Sequence, residues 1–90
     1  SGLTPLHFAP DEKIAALLIA KGADINARDL GRYTPLHYAA RNGNSELVKL
    51  LIAKGAYVNA RNGLGQTPLR CAEERDNKEM VDLLKKHGAK

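Results

Sequence analysis

Along residues 34–55 the apolar positions fall into two sets separated by a polar break. Leu36, Ala39 and Ala40 sit at helical spacing and make one narrow stripe. Leu47, Val48, Leu50 and Leu51 then make a broader face. Each set has its own start and stop. Thr34 offers an N-cap hydroxyl, and Pro35 suits the first helical position, where its missing N–H would go unpaired anyway. Gly43 ends the first stretch, because the left-handed conformation is cheap chiefly for glycine. Asn44 can cap the second stretch and Gly55 stops it. The pattern therefore predicts a short helix, a tight turn and a longer helix. Residues 56–63 are rich in turn formers and predict an extended loop or hairpin.

The same pattern is written three times. Thr4-Pro5-Leu6-His7 and Thr34-Pro35-Leu36-His37 are followed by Thr67-Pro68-Leu69-Arg70, 33 residues after the second copy. Each copy runs on to a leucine pair and then to Lys-Gly-Ala or His-Gly-Ala. Neither helix of a unit can bury its stripe alone, since the two make only a thin layer. Stacked layers share a continuous core. The small residues Ala9, Ala39, Ala40 and Ala72 let neighbouring first helices approach closely.

This unit resembles the ankyrin repeat, whose signature includes Thr-Pro-Leu-His followed by Ala, with a period of about 33 residues. The likeness extends to Gly22-Ala23, Gly55-Ala56 and Gly88-Ala89 and to Asp24-Ile25-Asn26-Ala27, and it covers nearly the whole chain. It implies an all-α fold: an α-solenoid of three stacked helix-turn-helix repeats with projecting β-hairpin loops. The repeats are placed at residues 2–31, 32–64 and 65–90 of a single domain. In the family, the histidine of the signature ties its threonine to a neighbouring loop by hydrogen bonds.

The copies also disagree. Thr4 and Thr34 are only 30 residues apart, so the first copy is three residues short. Comparing Ala9-Pro10-Asp11 with the six residues 39–44 puts the gap at the end of the first helix. Pro10 cannot continue a helix but can begin one, so the first helix should be a stub of about one turn and the second should start near Pro10. This repeat is expected to be the least stable layer. Gly2 and Gly65 lie two residues before their threonines, whereas Arg32 holds that place in the second copy and Gly31 comes one earlier. A different turn is expected there, in preference to a positive φ at Arg32. In the third copy Arg70 replaces His, Glu73 replaces Ala40 and Lys85 replaces Ile52, as suits the solvated outer face of a C-terminal cap. The first copy has no such polar cap. Ile14, Leu17 and Ile19 are expected to leave an apolar strip that pairs with a second chain or with upstream residues.

Composition changes this picture little. The chain has 90 residues, 43% hydrophobic and 27% charged, which suits one small globular domain and argues against disorder. A single cysteine, Cys71, permits no internal disulfide and points to an intracellular, cytoplasmic setting. No apolar run approaches the roughly 20 residues of a membrane span, and Ser1-Gly2-Leu3-Thr4 lacks a signal-peptide pattern. The net charge of +4 permits acidic partners. Several lysines (Lys21, Lys54, Lys85, Lys86), however, sit near helix ends, where they complement the helix dipole.

Catalytic and metal chemistry find no assembled pattern. His7 and His37 occupy equivalent places in successive layers, about 10 Å apart, too far to share one ion. They are read as structural. Cys71 aligns with Phe8 and Tyr38 and is read as an inert packing thiol. Glu73, Glu74, Asp76 and Glu79 match no calcium loop and are read as a solvated face. Residues 63–66 lack the rest of a phosphate loop. The expectation is no enzyme, no cofactor and no metal.

What remains is a binding surface. The family resemblance implies docking on the loop tips and on the concave face of the first helices. Carried over by position, this gives Arg28, Leu30 and Tyr33, then Arg61, Leu64 and Gln66 at the tips, and Arg41, Asn42, Glu74 and Arg75 on the helices. Arg and Tyr are enriched among interface hot spots, and Leu30 and Leu64 at exposed tips are hard to explain as scaffold. The leading reading is a protein-binding module for a partner with an acidic segment and apolar anchors. The alternative is a structural, engineered or truncated array without a partner of its own, monomeric or weakly dimeric through the first repeat. A minor alternative is nucleic-acid binding through Arg28, Arg32, Arg41 and Arg61, for which few aromatic residues are free to stack on bases.

Overall fold

The computed structural model describes residues 2–90. The described residues form five α-helices: α1 (Glu12–Ala20), α2 (Pro35–Asn42), α3 (Ser45–Ala53), α4 (Pro68–Glu74) and α5 (Lys78–Lys86), preceded by a 3-10 helix, Pro5–Phe8. Together they make an α-solenoid of stacked helix pairs measuring 32 × 25 × 19 Å. The start signals act as expected. The hydroxyl of Thr34 accepts the N–H of His37 at 3.3 Å, and that of Thr67 accepts the N–H of Arg70 at 3.3 Å. The side chains of Asn44 and Asn77 cap α3 and α5 through Leu47 and Met80. Gly43 closes α2 at φ 74°.

The truncated copy behaves as the spacing predicts in one respect and differs in another. Its first helix is a single 3-10 turn of four residues. The second helix, however, begins at Glu12, with Asp11 as its N-cap. Pro10 therefore lies outside the helix instead of at its first position. A carboxylate that accepts the Ile14 N–H at 2.9 Å satisfies an orphan donor, which a proline ring cannot do. The chain then closes by a bond from the Asn44 amide to the Pro10 carbonyl at 3.4 Å.

The loops are hairpin-shaped turns without strands among the described residues. The loop before α2 closes where the N–H of Asp29 reaches the carbonyl of Tyr33 at 3.1 Å, and the loop before α4 where Asn62 reaches Gln66 at 2.9 Å. Adjacent tips are joined by the Gly63 N–H to the Gly31 carbonyl at 2.8 Å. The second copy keeps the same turn as its neighbour and forces Arg32 to φ 65°, where Gly65 has φ 77°. This corrects the expectation of a different turn. The closing bonds on either side fix the loop, so the residue at the tip must comply at a cost.

The core is Leu6, Leu36 and Leu69 from the first helices with Leu47, Val48, Leu51, Met80 and Leu84 from the second, spaced by buried Ala15, Ala39, Ala40 and Ala72. Burial has a direction. Ile14, Leu47 and Met80 hold the same place in the three copies and are 42%, 5% and 0% exposed. Within the described residues the second and third copies have a preceding layer on that side, and Ile14 has none. Leu3, Phe8 and Leu17 of the first copy are exposed as well. At the other end the outward positions carry the exposed charges Glu73 and Lys85.

Candidate functional site

The surface between the loops and the first helices is organised by the two buried histidines. His37 Nδ1 accepts the Thr34 N–H at 3.1 Å, and its Nε2 lies 2.8 Å from the carbonyl of Gln66 in the next loop. His7 repeats the arrangement, with Thr4 at 3.1 Å and the Tyr33 carbonyl at 2.9 Å. Because Nδ1 must accept, the neutral ring carries its proton on Nε2. Burial disfavours the charged ring and holds the His37 pKa below its usual value. Among the described residues no cluster of His, Cys, Asp and Glu could hold a metal ion.

On this frame rests an aromatic group not foreseen in the sequence. Tyr33 and Tyr38 lie 5.4 Å apart, Phe8 lies 5.7 Å from Tyr38, and the Tyr33 ring meets His37 edge-on at 5.5 Å. The Arg41 guanidinium covers both tyrosines, 5.2 Å from the Tyr38 centroid and 5.8 Å from that of Tyr33. Asp29 ties the group to the loop: one oxygen accepts the Tyr33 N–H at 2.9 Å and the other accepts the Tyr38 hydroxyl. Burial pulls the Asp29 pKa upward, but these hydrogen bonds outweigh it and leave the carboxyl below its usual value. Burial and the Asp29 carboxylate together push the Tyr38 pKa up to about 12. Asp29 could have been found from its place four residues before Tyr33, which Asn62 repeats before Gln66.

The predicted site residues fall into separate groups. Tyr33 and Arg41 are joined through the rings, with Asn42 exposed beside them on α2. Leu30 and Leu64 stand at the loop tips, 84% and 78% exposed, with Arg28 and Arg61 exposed on the same loops. Arg61, Leu64 and Gln66 line one shallow depression. The Gln66 amide donates to Glu74 at 3.1 Å, and Glu74 also faces Arg70 at 3.9 Å. Arg75 is exposed at the end of α4. Cys71 is buried, and burial pushes its thiol pKa up.

Stacked helix-turn-helix layers with histidine-tied loops define a helical repeat protein of the solenoid class. Residues 11–90 match the family described as ankyrin repeats (3 copies), and the chain belongs to that family. Such repeats generally mediate protein–protein interaction, and the family is typically non-catalytic. An ankyrin repeat protein of fowlpox virus (strain NVSL) is 52% identical over 35 residues, 39% of this chain and 5% of its own length. Protein fem-1 homolog C of Danio rerio is 36% identical over 65 residues, 54% of this chain and 10% of its own. XBOS33 of Oryza sativa subsp. japonica, an E3 ubiquitin-protein ligase by name, is 46% identical over 49 residues, 51% of this chain and 9% of its own. The chain thus spans no more than a tenth of the length of these relatives. Among the described residues no helix is long and apolar enough to cross a membrane.

Proposed function

We propose that the chain is a single domain of three repeats, divided at residues 31/32 and 64/65, that binds another protein without catalysis. The partner lies across the loop tips and the first helices. Arg28, Leu30, Arg61 and Leu64 supply the tip contacts, and Tyr33, Arg41 and Asn42 supply the inner ones, with Gln66, Glu74 and Arg75 extending the surface. The carrying observation is the pair of leucines at the tips, 84% and 78% exposed, where no scaffold role accounts for them. On the loops and α2, Arg28, Arg32, Arg41 and Arg61 outnumber the carboxylates Asp24 and Asp29, which favours a partner with an acidic segment. Such a role suits an intracellular, cytoplasmic setting, as the lone buried thiol does.

The test is a quantitative pull-down with the intact chain, Leu30→Ser with Leu64→Ser, and Arg41→Ala. Proteins captured by the intact chain and lost by both variants support the reading. Equal capture by all three removes this surface from consideration.

A second reading, self-association through the first repeat, is favoured by the exposed Leu3, Phe8, Ile14 and Leu17. Sedimentation of the intact chain against Leu17→Glu separates it from the first, since a monomer at all concentrations excludes it.

A further inference from the structure

Of the three copies only the second carries a cation at the place of Arg41. The third has Glu74 there, and the gap in the first copy removes the position. The Arg41 guanidinium lies over the Tyr38 and Tyr33 rings, 5.2 Å and 5.8 Å from their centroids. Two rings against one side chain narrow its choice of rotamers and leave the N–H edge as the free part. The rings are themselves fixed beforehand, because Asp29 accepts from the Tyr33 N–H and from the Tyr38 hydroxyl.

This cation has no counter-charge. Among the described residues Arg41 makes no hydrogen bond and no ion pair, and its Nε is buried without an acceptor. The outer nitrogens of the fork are not enclosed. The carboxylates Asp29 and Glu74 on the same surface are committed elsewhere: Asp29 to the tyrosines, and Glu74 to the Gln66 amide at 3.1 Å and to Arg70 at 3.9 Å. An unpaired guanidinium partly withdrawn from water gains from an acceptor set against its fork, and a carboxylate matches that fork with two parallel bonds. Charge favours a carboxylate over a phosphate. No second cation shares the rings among the described residues, so a phosphate, with close to two charges near neutral pH, would be left about half neutralised. The chain's own Glu73 and Glu74 come with Arg70 beside them, so a second copy seated through α4 would bring a cation along with the anion.

We propose that Arg41, held on Tyr33 and Tyr38, is the polar anchor of the binding surface and takes one Asp or Glu side chain of the partner protein in a paired hydrogen bond. This rests on the protein-binding reading above and names the contact at its centre. Asp29 is then a positioning residue, which acts on the incoming carboxylate only through the rings that aim the guanidinium.

The test titrates the intact chain at low salt with a hexaglutamate peptide and follows the arginine side-chain N–H signals and the Tyr38 ring signals by NMR. The Arg41 Nε–H should shift saturably and further than those of Arg28 and Arg61, and hexaglutamine should move none of them. Arg41→Gln should weaken hexaglutamate binding about fivefold or more. Arg41→Lys keeps the charge but loses the fork, and should recover little of that loss. Arginine signals that shift no further at Arg41 than at the tips, or full affinity in Arg41→Lys, show undirected attraction and overturn the proposal. Inorganic phosphate that saturates the Arg41 shift at a lower concentration than hexaglutamate also overturns it. So does a change in the sedimentation of the chain alone on Arg41→Gln, which would assign the anion to a second copy. If Arg41→Gln fails to fold, the shifts of the intact chain decide. Leu30→Ser with Leu64→Ser should keep the Arg41 shift, so failure at Arg41 removes the anchor alone and the protein-binding reading is then judged by the pull-down.

Discussion

His37 Nε2 stands 2.8 Å from the carbonyl oxygen of Gln66, so a side chain of one layer holds the loop of the next. His7 holds Tyr33 in the same way at 2.9 Å, whereas Arg70, at the equivalent place in the third copy, faces Glu73 and Glu74 of its own helix. The histidine bond thus joins the first copy to the second and the second to the third.

Removing this tie should be costly. His37→Ala loses bonds at both ring nitrogens and leaves the Thr34 N–H and the Gln66 carbonyl without it, a loss of about 2 kcal/mol. A urea titration should show a lower midpoint for the variant.

The tie also gives the fold a pH dependence. The unfolded His37 titrates at its ordinary 6.5, while in the fold burial first of all holds its pKa lower. Between the two values the unfolded chain binds more protons, so stability rises with pH across that interval and levels off above 6.5. Melting temperature should fall when buffer is acidified from neutral toward about pH 5, and less steeply in His37→Ala.

Arg32 at φ 65° occupies a conformation that costs a non-glycine residue about 1–2 kcal/mol. Arg32→Gly relieves that cost and adds backbone entropy to the unfolded chain, so a net gain of about 0.5–1 kcal/mol is expected in the same titration.

Equivalent positions should not be equally sensitive. Met80→Ala removes a fully buried side chain and should cost about 2–5 kcal/mol. Ile14→Ala, at the same place in the first copy but 42% exposed, should cost about 1 kcal/mol or less. Thermal melts of the two variants compare them directly.

Cys71 should be unreactive until the chain opens, because it is buried and its thiol is held in the protonated form by burial. An aromatic disulfide reagent at neutral pH should label it slowly in buffer and rapidly in urea.

The repeated residues were legible because their roles are local. Thr34, Pro35, Gly43 and Asn44 act on backbone within a turn of themselves, and the missing residues before Asp11 shorten the first helix directly. Pro10 and Asp11 both suit a helix start, and spacing does not show which one meets the free N–H of Ile14. Arg32 escaped the sequence because its φ is set by bonds made between Asp29 and Tyr33 on either side of it. Arg41 reads in sequence as an exposed charge, yet its guanidinium lies on rings contributed by a loop and by its own helix. Those contacts depend on three-dimensional position, as does Asp29 between Tyr33 and Tyr38.

The graded burial of Ile14, Leu47 and Met80 gives the stack a polarity, with an apolar flank at the first copy and a charged one at the third. Seating the apolar flank of one stack on the charged flank of another would bury charge against hydrocarbon, whereas two apolar flanks brought together would cover each other, an arrangement closed by symmetry. One feature of burial thus sets which way round two such surfaces match.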